Sequence, residues 1–76
     1  MSLFSKNKIQ TVYIEGMMCD RCSHHVEVEL KKIEGVKGVT VSLKDKKAII
    51  KSKDGIDEKT LKDAIIVAGY KVTKIE

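Results

Sequence analysis

The hydrophobic periodicity of this chain switches twice from two residues to nearly four and back, and that alternation restricts its possible folds more than any other feature. From Ile9 to Glu15, β-branched and aromatic residues place Val12 and Ile14 on one face and Tyr13 on the other, a strand pattern that ends at Gly16. After a Met17–Arg21 loop, Cys22, Val26, Leu30 and Ile33 recur at helical spacing over about three turns, and Gly35 stands where a helix C-terminus favours glycine. Val39, Val41 and Leu43 alternate with polar residues, and Ala48 and Ile50 resume the alternation beyond Asp45-Lys46, which predicts a hairpin whose turn lacks glycine. Asp57 is placed to cap a second helix with an apolar stripe of Leu61, Ala64, Ile65 and Ala68. Gly69 closes that helix, and Tyr70–Ile75 forms a last strand.

The order βαββαβ, with one apolar stripe per helix, predicts a ferredoxin-like α/β fold of the α+β sandwich kind: a four-stranded antiparallel sheet with both helices on one face. The other face should be solvated, which suits the Lys, Thr and Ser residues of the strands. Residues 9–76 are expected to form the single domain that 76 residues allow, preceded by a flexible N-terminal segment, residues 1–8. So small a domain has little room for a large catalytic cavity.

Cys19-Asp20-Arg21-Cys22 contains both cysteines of the chain, too few for a disulfide framework. No apolar run reaches the roughly 20 residues of a membrane span, and the first residues lack the apolar core and cleavage site of a secretory signal. The expected location is therefore cytoplasmic, with reduced thiols. A helix N-terminus favours thiolate, and two thiolates around a monovalent soft ion leave one negative charge that the helix end and Arg21 offset. This favours Cu(I); Hg(II) and Zn(II) are the alternatives, Zn(II) needing two further ligands from residues such as Asp20, His24 or His25. His25 lies three positions after Cys22 and is the candidate weak extra ligand.

The net charge of +4 is spread along the sequence without a block, a mild preference for an acidic protein partner. Nucleic acid is not expected as a partner, because Phe4, Tyr13 and Tyr70 offer no closely spaced pair for stacking bases. A thiol-disulfide oxidoreductase also uses CxxC at a helix start. Thioredoxin-like enzymes, however, set a cis-proline against the pair, and this chain has no proline and a different element order. No enzymatic activity is expected.

Three stretches together resemble the heavy-metal-associated domain family: Gly16-Met17-x-Cys19-x-x-Cys22; Glu34-Gly35-Val36 with Val39, Val41 and Leu43; and Ala64-Ile65-x-x-Ala68-Gly69-Tyr70 with Val72. The resemblance implies a ferredoxin-like fold and Cys19 and Cys22 as metal ligands. It also implies that Met17 packs beneath the metal loop and that Tyr70 lies beside the site, as in bacterial copper chaperones. Met18, at a variable position of the family motif, is expected to be an exposed loop residue. The implied function is a Cu(I) chaperone that delivers one ion to a metal-transporting P-type ATPase, or to its soluble metal-binding domain, by thiolate exchange. The alternative is a regulatory domain of a copper, mercury or zinc ATPase. The chain is expected to be a monomer, with a metal-bridged dimer as the alternative.

Overall fold

A computed structural model describes residues 8–17 and 19–76. The flexible segment expected at the N-terminus and the exposed position expected for Met18 fall, apart from Lys8, outside the described residues. The elements run β1 (Lys8–Glu15), α1 (Asp20–Lys31), β2 (Val36–Ser42), β3 (Lys47–Ser52), α2 (Glu58–Val67) and β4 (Lys71–Ile75). They form a ferredoxin-like βαββαβ sandwich with one antiparallel sheet in the order β2-β3-β1-β4.

Alternation along the strands sends Val12, Ile14, Ala48 and Ile50 to one face, where they meet Val26 and Leu30 of α1 and Leu61 and Ile65 of α2. All eight are essentially sealed from water, and burying a side chain of the larger aliphatic kind stabilises by about 1.5–3 kcal/mol. Ser52 is the polar member of the buried set, and its hydroxyl accepts the Gly55 N–H at 3.0 Å. Gln10 ties the approach to α2 to β1 with both ends of its amide: Nε2 donates to Ile56 O, and Oε1 accepts from Ile56 N, each at 2.8 Å.

Several boundaries differ from the sequence reading. Strand β1 takes in Lys8, and Tyr70 stays just outside β4. Asp20 and Arg21 belong to the first turn of α1 rather than to the preceding loop, because the Cys19 carbonyl already accepts the Ser23 N–H at 3.0 Å. Asp57 occupies the N-cap of α2 without a side-chain capping bond. Gly35 does not cap α1. The helix ends at Lys31, and Gly35, at φ +96°, is the third residue of a turn closed from Val36 N to Ile33 O at 3.2 Å, a conformation open to glycine at small cost.

Gly69 does close α2. The Tyr70 N–H reaches Ile65 O at 3.0 Å and the Gly69 N–H reaches Ile66 O at 2.9 Å, the paired bonds of a Schellman motif, with Gly69 at φ +98°. In the hairpin, Lys46 takes the corresponding left-handed role at φ +56° without being glycine. Nothing lies within 4 Å of a Cβ added at Gly69, so Gly69→Ala should cost backbone strain alone, about 1–2 kcal/mol. Lys46→Gly should raise stability, by up to about 1 kcal/mol. Urea unfolding of the two variants should move the midpoint in opposite directions.

Candidate metal site

The site begins where β1 gives out. Gly16, at φ +94°, turns the chain, and a Cβ there would lie 3.5 Å from Cδ1 of the Tyr70 ring. Met17 then drops into the core, 1% exposed. With this side chain buried, the loop is pinned and Cys19 is delivered to the N-cap of α1 in an extended conformation (φ −150°, ψ 168°).

From that position the Cys19 side chain is exposed, whereas Cys22, one turn into the helix, is half-buried against the core. The sulfurs touch, Sγ to Sγ 2.9 Å, and neither is in a disulfide. A soft ion bound linearly through metal–sulfur bonds of about 2.3 Å needs its sulfurs about 4.6 Å apart, so the pair must open to admit one. Cys19 has room to swing outward; Cys22 is confined by its packing.

Tyr70 reaches the same point from the other half of the fold. The Schellman turn that closes α2 places its ring over Gly16 and its hydroxyl in hydrogen-bond contact with Cys22. That bond, followed by partial desolvation and the charges of Cys22 and Cys19, raises the hydroxyl above the ordinary phenol range. Arg21 is exposed in the first turn of α1. His25 is exposed too, with Nε2 3.9 Å from Glu29 Oε2. Among the described residues, no group of three or more His, Cys, Asp or Glu side chains is placed to hold a metal ion. Cys19 and Cys22 are the pair that could hold a metal here, and two sulfurs would suit a soft ion of low coordination number better than tetrahedral zinc.

Sequence reasoning brought Cys19, Cys22, Met17 and Tyr70 to one place, and the structure puts them there. The sequence reading ended the strand at Gly16; the structure adds that Gly16 turns the chain at φ +94° beneath the Tyr70 ring, a backbone conformation that glycine adopts at small cost.

The heavy-metal-associated domain profile matches residues 11–71. Copper chaperone CopZ of Staphylococcus saprophyticus is 38% identical over 64 residues, 83% of this chain and 94% of that protein. Copper-transporting ATPase 1 of Rhizobium meliloti is 36% identical over 66 residues, 87% of this chain but 8% of that much longer protein. Among solved structures, a CopZ metallochaperone superposes with a TM-score of 0.78 at 32% identity, covering 90% of this chain and all of the other.

Two outcomes follow for the metal-free, reduced protein. Brief alkylation with a small reagent should label Cys19 faster than Cys22, as read by peptide mapping. With Tyr13→Phe leaving one tyrosine, the phenolate absorbance of Tyr70 should appear above the ordinary pH, and Cys22→Ser should bring it down. A pKa raised by folding contributes stability below the unfolded value, and that contribution is lost as pH rises through the folded one.

Proposed function

This chain belongs to the heavy-metal-associated domain family, and from that premise we propose that it is a Cu(I) chaperone. In this reading it binds one ion between Cys19 and Cys22 and passes it to a metal-transporting P-type ATPase, or to the soluble metal-binding domain of one. The observation that carries the proposal is the contacting pair of partly exposed cysteine sulfurs, in no disulfide, at the N-terminus of α1, with no cluster of three His, Cys, Asp or Glu side chains around it among the described residues. Two thiolates and one Cu(I) sum to a single negative charge beside the positive end of a helix, a balance that a divalent ion in the same pair would not share.

Met17, Arg21 and Tyr70 support the site without ligating. Met17 anchors the loop from the core, Arg21 adds positive charge at its rim, and Tyr70 donates to Cys22 and limits how far that sulfur moves. Because the pair holds the ion with two sulfurs, an incoming thiolate from the partner can add as a third ligand before either original bond breaks. Cys19, exposed and hinged at the N-cap, is the sulfur that lets go first in that exchange; Cys22 holds until the ion has crossed. The metal changes hands with no change of oxidation state, so the role is binding and delivery rather than catalysis. Similarity to a chaperone along nearly its whole length supports the free-standing reading, and similarity to one small part of an ATPase supports the same chemistry in a domain. No helix among the described residues is long and apolar enough to cross a membrane, which agrees with a carrier in the cytoplasm.

Competition against a Cu(I) chelator should show one equivalent bound per chain. Cys19→Ser or Cys22→Ser should remove tight binding, whereas His25→Ala should leave it within about twofold. Retention of one tight equivalent by the double cysteine variant would refute the assignment, and a nitrogen-dominated X-ray absorption spectrum would point to a histidine-containing zinc site. Transfer to a CxxC-bearing acceptor domain should accelerate with acceptor concentration; a rate independent of it would mean release to solvent.

A further inference from the structure

The positive charge that looks scattered along the sequence is gathered by the fold onto the sheet. The four strands hold six lysines against one glutamate, a net of +5, of which Lys8, in step with the inward Val12 and Ile14 and beside Gly55, belongs to the helix side; the two helices hold four bases against five acids, a net of −1. Lys47 and Lys51 alternate with the buried Ala48, Ile50 and Ser52, and so project from the face of the sheet opposite the helices. Lys74 lies on the same face, since its ammonium and that of Lys47 both approach the Tyr13 ring, 5.8 and 6.0 Å from its centre. Lys71 stands opposite Glu15 in the register of β1 and β4, which places both on this face. Glu76 accepts a hydrogen bond from Tyr13 and an ion pair from Lys74, at 3.2 and 2.9 Å, so it offsets part of this charge. Ile9 stands opposite Lys51 in the sheet, 57% exposed.

We infer that this open sheet face is a docking surface for an anionic phospholipid membrane, on which the protein lies peripherally with its helices toward the water. The charge on the face is carried by lysine, without arginine, on extended backbone with no second layer over it among the described residues. A lysine ammonium is a hydrated point charge that lacks the carboxylate-matching fork of arginine. Such charges suit the diffuse potential of a lipid surface, where each contributes about fivefold in affinity, better than the discrete contacts of an acidic protein, which favour Arg and several aromatic anchors. Ile9 and the Tyr13 ring supply a small amphipathic centre at headgroup depth. The inference does not rest on the metal-binding proposal, and its test uses metal-free protein.

The chain has no tryptophan, so a single one introduced at the surface reports its own surroundings. Ile9→Trp probes the sheet face and Ile66→Trp, at a position 62% exposed on α2, probes the helical face. With phosphatidylcholine vesicles containing roughly one third phosphatidylglycerol, a composition that sets up a negative surface potential, Ile9→Trp emission should shift to the blue at low salt while Ile66→Trp stays unchanged. The shift should vanish on pure phosphatidylcholine and as ionic strength approaches about 1 M, where the Debye length is about 3 Å. Lys47→Glu/Lys51→Glu should weaken partitioning at least about tenfold, and the milder Lys47→Gln/Lys51→Gln guards against a folding defect. Lys59→Glu/Lys62→Glu, which changes net charge equally on α2, should leave partitioning within about twofold. The inference is overturned by no shift on anionic vesicles, by a shift of Ile66→Trp instead, by equal losses from the sheet and helix reversals, or by soluble polyglutamate binding as tightly as the vesicles. The last of these would identify the face as a site for acidic protein.

Discussion

Strand β1 is the constraint from which the rest of the structure follows. It is paired on both edges, with β3 on one side and β4 on the other, so its position and pleat leave no freedom to slip without turning Val12 and Ile14 out of the core. Where it ends, the chain has few options. Gly16 bends it, Met17 plugs the core, and Cys19 arrives at the start of α1 already extended for an N-cap. The two cysteine backbones are thus placed by connection to a strand paired on both edges and a helix whose next turn buries Val26, while the sulfur spacing is left to their side chains.

Rigidity is graded across the site. Cys22 lies within a hydrogen-bonded helix, packs against the core and contacts Tyr70; Cys19 lies at the helix boundary and is exposed. The proposed carrier role would use this asymmetry, because a site that held its cargo with two equally buried ligands would have to unfold locally to release it. Tyr70 is positioned by the Schellman turn of α2, so the second half of the fold, which contributes no sulfur, still helps to shape the metal loop.

The charges show a similar division of labour. Both helices carry nearly balanced acids and bases, several of them in pairs one turn apart, such as Lys31 with Glu27 at 2.9 Å and Lys32 with Glu29 at 3.1 Å. Exposed pairs of this kind contribute little stability, but they leave the helical face almost neutral. The strands carry the excess, and Lys47, Lys51, Lys71 and Lys74 project from the sheet face opposite the helices.

Much of this was legible in the chain itself. Periodicity alone located all six elements, since a period of two or of 3.6 is imposed by one buried face, and the two cysteines two residues apart at a strand-to-helix junction marked the site. Boundaries that depend on single hydrogen bonds were not legible: Asp20 and Arg21 read as loop because they are polar, yet the bond from Ser23 to the Cys19 carbonyl puts them in the helix, and Gly35 read as a cap because a turn glycine and a cap glycine share the same positive φ. Local pattern determined which residues are helical, which are extended and which face inward. Tertiary structure alone decided which distant residues meet, bringing Tyr70 over Gly16, Gln10 against Ile56 and four separated lysines onto one face. Those meetings depend on strand order, and strand order is decided by the global packing of two helices on one sheet rather than by any segment of sequence.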